Sequence, residues 1–228
     1  MMQPITTRTV SVNIAKMVTV MCLLTLPFLY SVHTRQVVYL ALHVSYIAWF
    51  LLKQAIFREP LYRERDSAPQ VVMVVALVGV FYALPGWLAF TNPEPVNELV
   101  LAASVALFFF GSMINSGADI QKSAALRARP SLVTDSFWSL SRNINYFGDL
   151  MRYSAFALLS GSLWSWSVVL VVLGISLNRM RMKEASLSRY PDYTAYRRCI
   201  PILVPMPFYR RFRPGRLIAP APAVGEGN

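Results

Sequence analysis

Val71–Phe90 reads VVMVVALVGVFYALPGWLAF, twenty consecutive residues without a charged side chain. A helix rises about 1.5 Å per residue, so this stretch alone is long enough to cross the ~30 Å hydrocarbon core of a bilayer. The same ruler gives further candidate spans near Met17–Val32, Val37–Phe57 and Val96–Met113. Two more, Tyr146–Leu163 and Trp166–Leu177, are separated only by small and aromatic residues and read as a helical hairpin turning near Ser162. The expected fold class is therefore all-α, a polytopic membrane bundle of about six transmembrane helices.

Composition agrees. Of the 228 residues 55% are hydrophobic and only 14% are charged, against about a quarter charged in soluble domains. Cys22 and Cys199 have no metal-ligand spacing and imply neither a disulfide framework nor a metal site. Arg8 and Lys16 precede an apolar run, but no small-residue cleavage pattern follows it, so the first span is not read as a cleaved signal. The net charge of +11 raises the possibility of nucleic acid, yet no such motif is present and the basic residues flank apolar segments.

That flanking follows the excess of Lys and Arg in cytoplasmic loops. With six spans and an inside N-terminus, one face collects Arg8, Lys16, Lys53, Arg58, Arg63, Arg65, Lys122, Arg127, Arg129, Arg142, Arg152 and the C-terminal block from Arg179 onward. Only Arg35 lies on the other face, together with the Thr91–Glu98 loop, which has no basic residue. Both termini are expected in the cytoplasm. The tail from 208 onward, basic and then rich in Pro, Ala and Gly, reads as disordered.

Polar clusters interrupt this apolar background. In RNINYFGDL (Arg142–Leu150), Arg142, Asn145 and Asp149 recur at helical spacing, with Arg152 three residues further on, and would share one face. Such a face lines a cavity or pairs internally rather than meeting lipid; the plain alternative is an interfacial helix start capped by Asn143 or Asn145, with Asp149 paired to Arg142 or Arg152. GADIQK (Gly117–Lys122) lies in what reads as a basic loop from Ser116 to Arg142. In the segment from Lys183 to Pro205, charges alternate with Tyr190, Tyr193 and Tyr196, the pattern of a juxtamembrane amphipathic helix. Together the three clusters offer cations for an anionic group, and tyrosines or Trp138 to stack on a ring.

Read in order, DIQK, Trp138 four residues before RNINYFGD, EASLSRYPDYTAY and the closing IPILVP resemble the C-terminal region of the membrane reductases grouped as steroid 5-alpha-reductase, Delta14-sterol reductase and the bacterial DUF1295 proteins. The resemblance covers roughly Gly117–Pro207. It implies a cytoplasmic-facing NADPH site in which Lys122 and Arg142 hold phosphates, Trp138 lines the pocket, Asn145, Tyr146 and Asp149 contact the cofactor, and Glu184, Tyr193 and Tyr196 form the far wall, with Arg127 and Asn143 also in the cofactor-binding set. The implied activity is reduction of a carbon–carbon double bond in a sterol or isoprenoid lipid held in the bilayer. Asn143 and Ile144 stand where the family has histidine and proline, and Arg127 is displaced by one residue from the usual basic partner. On this division residues 1–115 are a four-helix substrate side, 116–207 the cofactor-binding region and 208–228 the tail.

Related motifs occur in isoprenylcysteine carboxyl methyltransferases, which use S-adenosylmethionine, so that activity is the first alternative; a non-catalytic protein retaining the fold is the second. For the reductase, the proton donor falls to the N-terminal spans, where chemical type offers His43, Tyr46, Tyr82 and Lys53. His43, Tyr46 and Lys53 share a face of the second span by spacing.

Overall fold

The computed structural model describes residues 6–57, 66–128 and 131–205. All regular elements among them are helical. The chain runs through α1 (Thr7–Thr25), α2 (Thr34–Phe57), α3 (Ala68–Val74), α4 (Leu84–Thr91), α5 (Glu98–Ala128), α6 (Ile144–Ser160), α7 (Trp166–Leu187) and the short α8 (Tyr193–Cys199). Five stretches are long and apolar enough to cross a membrane: Thr7–Phe28, Thr34–Ile56, Ala68–Thr91, Glu98–Ala128 and Leu163–Leu187. The sixth expected span corresponds to α6, which is shorter at 17 residues.

Local chemistry sets the boundaries. Thr6 opens α1 by accepting the Thr9 amide on its hydroxyl, and Pro27 coincides with the loss of α-helical geometry at its end, as a residue without an N–H requires. Ser67 and Gln70 form a capping box at the start of α3. The third span is then interrupted: Val75–Val80 is π-helical, Phe81–Ala83 is a 3-10 turn, and α4 restarts with Pro85 in its first turn. Pro85 has no amide to give to the preceding turn and its ring crowds the carbonyl four residues back, which accounts for the break. The Thr19 hydroxyl lies 2.9 Å from both the Val78 and Gly79 carbonyls and meets acceptors in the distorted stretch.

The tightest helix pair is α5 with α6. Gly111 and Gly148 meet at the crossing, and a Cβ on either would lie 2.6 Å from the other's carbonyl oxygen, so the two backbones touch, the small-residue packing that bilayers favour. At the end of α6, Gly161 has φ +71° and starts the turn into α7, at the place expected for the hairpin. Arg35 donates to the Leu159 and Glu94 carbonyls, and Asn92 to the Ser160 carbonyl, satisfying carbonyls that the helix end leaves open.

These contacts fix two ends of the bundle. Arg35, Asn92, Glu94 and Gly161 gather at one. The other holds the Arg8–Asp66 ion pair, Lys53 on Asp119 and Lys183 on Asn143. Arg58, Arg63, Arg65, Arg129 and the tail from 208 onward lie outside the described residues.

Two expectations need correction. Ser116 does not begin a loop, because α5 continues to Ala128 and crosses the 115/116 boundary without a break. Arg142 does not share a face of α6 with Asn145 and Asp149. The helix starts at Ile144, since Asn143 has non-helical angles of φ −135° and ψ 43°, and Arg142 turns instead toward α7 and α8.

Candidate functional site: a basic cleft above a buried phenol cluster

The overhanging end of α5, the segment 131–142, the end of α7 with the turn after it, and α8 enclose a cleft of about 290 Å³ whose lining includes Lys122, Trp138, Arg142, Lys183, Arg189 and Tyr190. Four cationic side chains and no carboxylate line it. Trp138 forms one wall. Its indole N–H donates to the Ala118 carbonyl, and its ring has Lys183 Nζ 4.3 Å and Lys122 Nζ 5.7 Å from its centroid, within cation–π range.

A hydrogen-bonded frame holds this wall. Arg142 pairs with Glu184, donates to the Tyr193 hydroxyl at 3.2 Å and, through Nε, to the Ile200 carbonyl at 3.0 Å. Its backbone amide donates to the Pro201 carbonyl. Tyr196 donates its hydroxyl to the Trp138 carbonyl at 2.6 Å. Burial pushes the Tyr193 and Tyr196 phenols above their ordinary range, so both stay protonated donors. Glu184, Tyr193 and Tyr196 therefore act on the cleft chiefly by fixing Arg142, Trp138 and the chain around Ile200.

Asn143 is 1% exposed. Its amide N–H donates to the Ile202 carbonyl at 2.9 Å and its carbonyl accepts from Lys183 at 3.0 Å, so both polar ends are engaged inside the protein, tying the start of α6 to α7 and the chain beyond α8. Tyr146 is half-buried, and Arg127 is exposed in the last turn of α5; neither lines the cleft.

Below the cleft a polar track enters the bundle. Asp119 accepts from Lys53 at 2.7 Å and from Asn145 at 3.2 Å, and the Asn115 side chain donates to the Asn145 carbonyl. One turn further, Asp149 pairs with Arg152. Arg152 faces the Tyr46 ring at 4.2 Å, Lys16 donates to the Tyr46 hydroxyl, and that hydroxyl lies 3.2 Å from the Tyr153 hydroxyl. Tyr82, carried on the break in the third span, packs edge-on against Tyr153 with centroids 5.2 Å apart. His43 stacks on Phe156 at 4.5 Å and hydrogen-bonds Tyr39.

Tyr46, Tyr82 and His43, the residues expected to include a proton donor, are thus brought into one buried aromatic group, with Lys53 at its cleft-side edge. Lys16 and Tyr153 belong to the same group and were not singled out from sequence. Among the described residues no three His, Cys, Asp or Glu side chains come together as metal ligands do.

No curated protein matches the chain. Residues 5–199, a range that takes in every helix from α1 to the end of α8, match a family described as a protein of unknown function, DUF1295, and the chain belongs to that family.

Proposed function

We propose that this chain is a membrane oxidoreductase that uses NADPH to reduce a carbon–carbon double bond of a sterol- or isoprenoid-type lipid, as members of the steroid 5-alpha-reductase and Delta14-sterol reductase group do. The supporting observation is the cleft of cations and aromatic rings, joined through Asp119 and Asn145 to the buried phenols. Lys122, Lys183, Arg142 and Arg189 suit phosphates, and Trp138 and Tyr190 offer faces to a base or nicotinamide ring. About 290 Å³ is at the small end of ligand clefts and takes one nucleotide half, the other lying along the basic rim.

NADPH supplies hydride chemistry when bound. The chain's own part is to exclude water and to hold a proton. Lys16, as an ammonium, only donates, so it fixes the Tyr46 oxygen as an acceptor and directs the Tyr46 hydrogen to another partner; Tyr153 is the hydroxyl in reach. A phenol proton is thereby held among Tyr46, Tyr153 and Tyr82, inside the bundle where a lipid double bond lies. The cleft end of the bundle, which holds Thr7 beside Asp66 and Ile202 beside Asn143, is the cytoplasmic face on this reading, in keeping with its basic residues.

The methyltransferase reading fits this lining less well, because S-adenosylmethionine carries a sulfonium cation and the lining has no carboxylate to receive it. The two separate in a thermal-shift measurement on purified protein. A ligand at a hundredfold its Kd stabilises the native state by about 2.7 kcal/mol. NADPH is expected to raise the melting temperature and S-adenosylmethionine to leave it unchanged. A larger shift with S-adenosylmethionine, or none with NADPH, would remove the reductase reading.

A further inference from the structure

Lys16 begins ten residues into the first described helix by position, about 14 Å along its axis from Thr7, which is near mid-bilayer. It is 5% exposed. A buried ammonium at that depth needs an anion or a set of acceptors, yet Lys16 makes one hydrogen bond, to the Tyr46 hydroxyl, and no ion pair among the described residues. Its ammonium also faces the rings of Tyr46 and Phe50, at 4.3 and 5.3 Å from their centroids. The neighbouring charges are already matched, Arg152 by Asp149 and Lys53 by Asp119. One positive charge is left over.

A second observation points to the same place. Arg152 is 4% exposed and its Nε–H, a buried donor, has no acceptor. Arg152 and Lys16 lie 4.2 and 4.3 Å from the centroid of the same Tyr46 ring, so two cations share one phenol while a donor on one and two N–H groups on the other lack acceptors. Between them the two cations have one ion-paired carboxylate, Asp149 on Arg152, so the pair stays net positive in a low-dielectric interior, where an uncompensated charge is costly. The ligand that satisfies both is a single negatively charged oxygen group, and its position inside a lipid-embedded bundle selects one carried on an apolar chain.

We propose that Lys16 and Arg152, with the Tyr46 and Tyr153 hydroxyls, form a binding site for a lipid with a monoanionic oxygen head group, a carboxylate being the simplest. Lys16 supplies the charge, Arg152 Nε the directed donor, and the phenols set the position. The inference does not depend on the cofactor reading, because none of these four residues lines the cleft.

The test uses the full-length protein in nanodiscs of uncharged lipid, without NADPH, and the probes palmitate, methyl palmitate, hexadecanol and acetate. Binding is read by thermal shift and by the carboxyl 13C resonance of labelled palmitate. Palmitate is expected to stabilise the protein, and the ester, the alcohol and acetate to leave it unchanged. Lys16→Gln should weaken palmitate binding by about tenfold or more, the loss of one charge-assisted hydrogen bond, whereas Lys16→Arg should retain it. Tyr46→Phe, which keeps the charge, should weaken it less than Lys16→Gln, and serves if Lys16→Gln does not fold. Equal stabilisation by ester or alcohol, protection by acetate alone, or undiminished palmitate selectivity in Lys16→Gln would overturn the proposal.

Discussion

Gly111 and Gly148 meet so closely that a side chain on either cannot be accommodated: a Cβ on Gly148 would stand 2.6 Å from the Gly111 carbonyl oxygen and 2.7 Å from the Asn115 amide nitrogen. Both obstacles are backbone, so relief requires the helices to separate. Separation also pulls Asn145 away from Asn115 and Asp119. Gly148→Ala is expected to destabilise the protein by about 1–3 kcal/mol, with Gly148→Val worse, while Gly174→Ala, where nothing lies within 4 Å, should be neutral. Chemical denaturation in detergent measures the difference.

Asp149 balances Arg152 in the interior. Asp149→Ala leaves that guanidinium without its counter-charge and should cost about 3–5 kcal/mol. Asp149→Asn keeps an acceptor and should cost less. If the two variants are equally stable, the ion pair is not what holds this part of α6.

Asn143→His replaces an amide that both donates to Ile202 and accepts from Lys183. A neutral imidazole can still do both, so stability at pH 8 should change by no more than the roughly 0.5–1.5 kcal/mol of one hydrogen bond. Protonation near pH 6.5 turns the acceptor into a donor facing the Lys183 ammonium. The variant should therefore lose stability as pH falls through that value, by more than the native chain does between the same two pH values. A melting curve at pH 8 and at pH 5.5 decides it.

Burial raises the Tyr193 and Tyr196 phenols in the folded chain. In the unfolded state they ionise near pH 10. The folded state then binds more protons than the unfolded one, so the stability they confer is complete below pH 10 and is lost as pH rises beyond it. Hydrogen exchange of the α8 amides should accelerate above that pH ahead of exchange at the α5–α6 crossing.

Glu94 and Ser188 are both exposed and lie at opposite ends of the bundle. With Cys22 and Cys199 replaced by serine, cysteines at 94 and 188 should label with opposite sidedness in intact cells, the cytoplasmic one only after permeabilisation. Equal labelling would overturn the two-ended arrangement, and reversed labelling the orientation alone.

The spans were legible because their cause is composition: Val71–Phe90 has nothing for water to hold, and α2 and the hairpin turn at Gly161 fall close to where the sequence places them. The polar ends were harder. Gly117, Asp119 and Lys122 resemble a loop when taken singly, but Asp119 is neutralised by Lys53 and the Ala118 carbonyl accepts from Trp138, partners distant in sequence that let α5 continue. Arg142 misled the spacing argument because periodicity assigns a face only once the helix start is known. Lys16 looked like a flanking charge because the apolar run begins at Met17, whereas α1 starts at Thr7. Tyr153 is one aromatic residue in an apolar stretch, and nothing local distinguishes a phenol that meets Tyr46 from one that meets lipid.

The 31 residues of α5 make a rod of about 46 Å, roughly half as long again as the hydrocarbon it crosses. The surplus lies at the Ala128 end, so the wall of the cleft is carried out beyond the apolar slab. The two halves of the molecule are consequently subject to different rules of substitution. Exchanging a basic residue at Lys122 is governed by the mild transfer costs of an aqueous surface, whereas the same exchange at Lys16 is governed by the cost of changing charge in oil. Over many generations the rim is therefore free to drift among residues of similar charge while the interior holds its residues, and relatives of this chain should differ most where they meet water and least around Tyr46.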